Sequence, residues 1–257
     1  MDFISTWKAH LKELDNPLNV DRSSFKLHKN LQGDVWGSDD ILNPNIADVL
    51  YEIAKDFFDS LELEWVDIVD IVITGSLANY NWSKYSDIDL HILVDFNQID
   101  ENMDLVQDYL TSERLRWNRG HNIHIKGFEV EIYVQDTNEE HISTGVYSII
   151  NDEWLNKPER EDVEIDWGTV EKKATTLMKD IDSVYSLFEK GSYVDAEKSA
   201  QRIKEKIRKF RRAGLDDEGQ YSPENIAFKV LRRNGYLEKL SSLRIMSYDK
   251  KMSLKEE

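Results

Sequence analysis

The sequence predicts an α+β fold: a mixed sheet with helices in the first part of the chain, then a wholly helical part. Three observations carry this. Runs rich in β-branched residues (66–74, 87–94, 121–125 and 128–134) alternate with segments of helical period up to about residue 150. Beyond that point the strand signal ends, and 168–190, 193–213 and 224–246 read as long helices. At 40% hydrophobic residues, the 257-residue chain has enough apolar side chains for a substantial core.

The elements follow in order. Residues 1–14 have helical spacing, with Phe3, Ile4, Trp7 and Leu11 on one side. Residues 15–42 read as irregular, punctuated by Asn16-Pro17, Gly33 and Gly37. Asn43 is placed to cap a strongly amphipathic helix over 44–61, with Pro44 in the first turn, where a missing N–H costs nothing. Val66 to Thr74 reads as a strand ending in a tight turn at Gly75-Ser76. Leu77 to Ser86 is a short helix or loop, and Asp87 to Val94 a second strand. Residues 101–117 read as a helix, followed by two extended runs around Lys126-Gly127 that suggest a hairpin. In the last part, Gly191 separates two helices, Gly214 is expected to end the second, and Asn234-Gly235 marks a kink in the third. The pattern divides the chain into an N-terminal helix with an irregular segment (1–41), a mixed core (42–150) and a helical part (151–257).

Composition excludes several classes. No apolar run reaches the roughly 18 residues a membrane span needs, so no membrane partner is expected. Met1-Asp2-Phe3 lacks the basic start of a secretory signal. The absence of cysteine removes thiolate chemistry and cysteine metal sites and fits a reducing, cytoplasmic setting, the host's if the chain is phage-encoded. A net charge of −17 argues against non-specific coating of nucleic acid. The charge is uneven: from Lys198 to Arg244 there are 13 Lys/Arg against 6 Asp/Glu. Arg202 and Lys206 align on one helix face there, as candidate contacts for an anionic ligand.

The chemistry-bearing stretch runs from Gly75 to His91. Side chains alternate along a strand, so Asp87, Asp89 and His91 share one face while Ile88, Leu90 and Ile92 anchor the other. Two carboxylates two residues apart repel, and a divalent cation relieves that; oxygen ligands select Mg²⁺ or Mn²⁺. A third acid is offered by Phe128–Val134, where Glu129 and Glu131 share a face and Glu131, between Val130 and Ile132, is preferred. Gly75-Ser76 sits where a strand turns, a place where backbone N–H groups and a hydroxyl can hold phosphate. Lys84, in the connecting loop, and His91 are further candidates for phosphate contact. His121 and His124, three apart on an extended run, face opposite ways and make a poor metal pair. Trp82, Trp117 and Trp154 are expected mainly to pack.

In order and context these residues resemble the nucleotidyltransferase superfamily related to DNA polymerase β. Ile73-Thr74-Gly75-Ser76, Asp87-Ile88-Asp89 and Val130-Glu131-Ile132 match its hydrophobic-Gly-Ser, Asp-x-Asp and separate-acid pattern, with Glu where Asp is commoner. The wording of Leu42-Asn43-Pro44, of Thr74 to Asn81 and of Ser86 to His91 looks like that of predicted nucleotidyltransferases of large tailed phages. The superfamily resemblance covers about residues 42–135, and the helical part is similar to the helical domain that often follows such a core.

The resemblance implies transfer of a nucleoside monophosphate from an NTP, ATP among them, to an acceptor hydroxyl, with release of pyrophosphate. Asp87, Asp89 and Glu131 would hold two Mg²⁺ or Mn²⁺ ions, and Gly75 and Ser76 the β/γ phosphates. RNA is one acceptor such a core admits. Two other readings stay open: an idle nucleotide- or RNA-binding module of the same fold, and a phage interaction or structural protein, for example a virion or antitoxin component.

Overall fold

A computed structural model of the chain describes residues 21–139, 143–160 and 163–253. The expected helix over 1–14 lies outside the described residues. The chain forms two compact units, one of them Arg22–Asp162, the other containing everything from Val163 onward.

In the first unit, helix α1 (Pro44–Asp59) starts as its sequence dictates: the Asn43 side chain accepts from the Asn45 N–H, and Pro44 occupies the first turn. Its apolar stripe, including Leu50, Ala54 and Phe57, is buried in the core. Strands β1 (Asp70–Thr74) and β2 (Ile88–Val94) pair antiparallel. Helix α2 (Met103–Gly120), capped by Asn102, carries the chain over to β3 (His124–Ile125) and β4 (Phe128–Asp136). That helical crossover is what allows β4 to lie parallel to β2. The β3–β4 hairpin turns at Lys126 (φ 54°) and Gly127 (φ 87°), two left-handed residues whose twist matches that of the strands they join. Strands β5 (Val146–Ser148) and β6 (Glu153–Asn156) complete a six-stranded mixed sheet in the order β3-β4-β2-β1-β5-β6.

Three expectations for this unit are corrected. The sheet does not end by residue 150, because β6 lies at 153–156; strands of three and four residues are too short to show a period. Strand β1 starts at Asp70 rather than Val66, since the Asp67 N–H bonds the Gln98 side chain, 3.1 Å away, instead of a strand neighbour. The second strand starts at Ile88, leaving Asp87 just outside it. The three tryptophans pack as expected. Trp82 stacks on His28 at 3.6 Å, Trp117 lies between Phe57 and His121, and Trp154 stacks on Trp36 at 4.7 Å.

The second unit is helical: α3 (Trp167–Glu189), α4 (Tyr193–Glu218), α5 (Pro223–Arg233) and α6 (Tyr236–Met252). Two breaks differ from expectation. Helix α4 runs through Gly214 to Glu218, because Gly214 is buried where a Cβ would come within 2.5 Å of the Glu224 Cβ; the glycine permits close packing instead of ending the helix. The chain turns instead at Gly219 (φ 73°). The expected kink at Asn234-Gly235 is a full break between α5 and α6, with Gly235 left-handed at φ 69°. Among the described residues no helix is long and apolar enough to cross a membrane.

Candidate active site

The candidate site is built on one face of the sheet by register alone. Thr74 of β1 is the Cα partner of Asp89 in β2, and Asp89 is the partner of Glu131 in β4. Directly paired residues point to the same face, so the three side chains form a row across three strands. Asp87, just before β2, adds a fourth oxygen group. Carboxylate oxygens of Asp87, Asp89 and Glu131 all lie within 4.8 Å of one another, and all three residues are half-buried. At about 4 Å and an effective dielectric constant of 20, each pair of charges repels by about 4 kcal/mol, which a cation among them would reverse.

Next to this row the backbone approaches Asp89 closely. Gly75 has φ +76°, and a Cβ there would lie 1.8 Å from Asp89 Oδ2. Only glycine leaves room for that carboxylate and adopts the turn without strain. The loop that follows is held at both ends. The Ser76 hydroxyl donates to Ser86 Oγ at 2.7 Å, and Ser86 Oγ accepts from the Ser83 N–H at 2.9 Å. Trp36 Nε1 donates to the Leu77 carbonyl at 2.7 Å, fixing the residue after Ser76.

The donor set suits a hard divalent ion. Three carboxylates converge at the spacing one or two ions would bridge. The Thr74 hydroxyl, in register with Asp89, is buried with no hydrogen-bond partner among the described residues, so the row holds an unused polar atom. Glu129 stands exposed beside β3, paired with His124, and Glu131 is the one grouped with the aspartates.

A second shelf of side chains lies one step along the same face, where His91 is the partner of Tyr133. The two rings stack at 4.9 Å, and His91 Nδ1 is 2.8 Å from Gln135 Oε1. The Tyr133 hydroxyl donates to Glu131 Oε2 at 3.1 Å. The Arg114 guanidinium, from α2, lies 4.3 Å over the Tyr133 ring, and its Nε is buried without a hydrogen-bond partner among the described residues. Burial, and then the charge of Glu131, push the Tyr133 phenol well above its ordinary pKa, so it stays a donor.

The structure thus brings Gly75, Asp87, Asp89 and Glu131 together, with Ser76 and His91 nearby and engaged with Ser86, Gln135 and Tyr133. Lys84 is exposed in the loop, its ammonium 5.1 Å from the Tyr85 ring centroid. Arg202 and Lys206 lie on α4 of the other unit, where Lys206 pairs with Asp180 at 2.8 Å. Sequence reasoning missed Thr74, Tyr133 and Arg114. Tyr133 shares the face of Glu131 two residues on, a readable signal; nothing in the sequence places Arg114 above it.

Residues 52–155 match the family model described as a nucleotidyltransferase domain, a span that contains Gly75, Ser76, Asp87, Asp89 and Glu131. No curated protein and no solved structure matches the chain, so the phage part of the resemblance rests on the quoted motifs.

Proposed function

We infer that this protein moves a nucleoside monophosphate from an NTP to an acceptor hydroxyl and releases pyrophosphate. The observation that carries the reading is the convergence of Asp87, Asp89 and Glu131 within 4.8 Å, beside a glycine that leaves room for one of them. The family match over 52–155 supports it. In this reading Asp87 and Asp89, with Glu131 opposite, hold Mg²⁺ or Mn²⁺. Such ions, when bound, neutralise the triphosphate and make the acceptor hydroxyl more acidic.

The chain's own work is positioning. Gly75 lets the backbone and the Asp89 carboxylate share one place. Tyr133 fixes one oxygen of Glu131 by its hydrogen bond. Ser76, tied to Ser86, keeps the turn and the end of the loop together, so that backbone N–H groups at the turn face the phosphates. No covalent nucleophile is needed: a bond forms between acceptor oxygen and α-phosphorus as the bond from α-phosphorus to the bridging oxygen breaks, pyrophosphate leaves, and the acceptor hydroxyl gives its proton to water. The acidity of the site favours ion-neutralised triphosphate over free phosphate.

The test is incubation with each α-labelled NTP and Mg²⁺ or Mn²⁺ in the presence of total RNA and cell lysate. Transfer of label to an acceptor, abolished by a chelator and by Asp87→Asn, is expected. No labelled acceptor with any NTP or either ion would overturn the reading, and the labelled species would name the acceptor class.

A further inference from the structure

The helical unit contains a cavity of about 520 Å³ between α4, α5 and α6, within the size range of ligand pockets. Its floor is apolar, formed by Ile207, Phe228 and Leu240. Its α4 side carries Lys204, Arg208 and Arg211. Among the described residues neither Lys204 nor Arg208 has an ion-pair partner. The acid beside them, Glu205, accepts from Gln201 Nε2 at 2.8 Å. Arg211 is already fixed: its guanidinium lies 4.2 Å over the Phe228 ring, and its Nε donates to Asn225 Oδ1 at 3.1 Å.

This is not the basic face expected from the sequence. At 100° per residue, Lys204 and Arg208 lie on the opposite side of α4 from Arg202 and Lys206. The cavity therefore joins an apolar floor to two exposed cations in a chain whose net charge is −17. A small anion without a ring would leave the floor uncovered. An apolar ring without a negative group would leave both cations unmatched. We propose that this cavity binds a nucleotide, its base on the Ile207, Phe228 and Leu240 floor and its phosphate against Lys204 and Arg208. Arg211, held on Phe228, forms a ready-made wall for the base. The inference concerns the helical unit alone and does not depend on transfer at the acidic site. The nucleotide has two sources, a free mononucleotide or the end of an RNA strand.

The test is binding by the full chain in chelator, so that metal-dependent binding at the acidic site is silent, with Asp87→Asn/Asp89→Asn as the background. The probes are ATP, by calorimetry, and a short labelled oligoadenylate, by fluorescence anisotropy. Both variants to be compared change exposed or half-buried positions, and melting curves check that they fold. Lys204→Glu/Arg208→Glu should weaken binding about tenfold or more, about 1.4 kcal/mol. Ser241→Trp, which fills the cavity at unchanged charge, should weaken it too. Binding of ATP comparable to that of the oligonucleotide identifies a mononucleotide site. Tighter oligonucleotide binding with a steeper salt dependence identifies a strand end. Absence of metal-free binding by either probe, or affinity unchanged in both variants, overturns the proposal. Loss of label transfer in the preceding experiment would leave this result standing, and the converse also holds.

Discussion

Gly75 and Asp89 compete for the same space: a methyl group on the first would lie 1.8 Å from the carboxylate oxygen of the second. The glycine is also left-handed, at φ +76°. Gly75→Ala should therefore act twice. The positive φ costs about 1–2 kcal/mol, visible as a lower melting temperature. Displacement of the Asp89 carboxylate should lower nucleotide transfer by about 100-fold or more, as a misplacement of about 1 Å does elsewhere. Full activity in a folded Gly75→Ala protein would mean that Asp89 is not held where the geometry puts it.

Glu131 and Glu129 separate cleanly. Glu131→Gln should lower turnover by about 100-fold while NTP affinity changes little, if its role in the proposed transfer is to hold the ion that activates the acceptor hydroxyl. Glu129→Gln, at an exposed position beside β3, should change stability by less than about 0.5 kcal/mol and activity hardly at all. Steady-state kinetics on the two variants checks this, and a more damaging Glu129 would exchange their roles.

Tyr133 gives an alkaline signature. Burial first, and the Glu131 charge second, raise its pKa above the ordinary 10. Above about pH 10 the unfolded chain gives up a proton that the folded chain keeps, so stability is lost as pH rises through that window. Tyr133→Phe has no such proton, and denaturant unfolding from about pH 9 to pH 11 should show a shallower fall than in the wild type. The same variant frees one Glu131 oxygen and should lower turnover several-fold with little change in KM.

Gly214→Ala sets two effects against each other. Alanine in a helix interior gains about 1 kcal/mol over glycine. The new Cβ would meet the Glu224 Cβ at 2.5 Å and Ser222 Oγ at 2.7 Å, and overpacking of that kind costs about 1–3 kcal/mol. Packing should win, and the melting temperature should fall. A rise would mean that the start of α5 yields easily.

The site was legible in the sequence to the extent that it follows strand alternation. Asp89 and Glu131 can be read from strand spacing and flanking apolar residues, Asp87 only from its place two before Asp89, since it lies just outside β2, and the cap at Asn43 from its own type. What escaped depends on partners far along the chain. The preference for Glu131 over Glu129 rests in the sequence on its flanking residues alone; that Asp89 is its partner is a matter of β2–β4 register. Arg114 reaches Tyr133 from another element, and the Thr74 hydroxyl is left without a partner among the described residues only once β1 is laid beside β2. Strands β5 and β6 escape because three or four residues hold at most two periods of alternation, too few to stand out from a loop. Gly214 was misread because a glycine needed for contact and a glycine that ends a helix look alike in one dimension.

The side chain of Asn118, on α2, bonds both backbone groups of Ile132: its Oδ1 accepts from the N–H and its Nδ2 donates to the carbonyl, each at 3.2 Å. Strand β3 pairs only with the first two residues of β4, and among the described residues no strand pairs with that side of β4 from Glu131 onward. A slip of one residue would swap Glu131 for an apolar neighbour. One amide, planted next to the acid, works as a detent: it adds to the β2–β4 ladder in resisting a one-residue slip, and it occupies the two backbone groups of Ile132 that a strand from another molecule would use. The alignment of the carboxylates thus has a second guard beside the strand ladder itself, an asparagine on a helix.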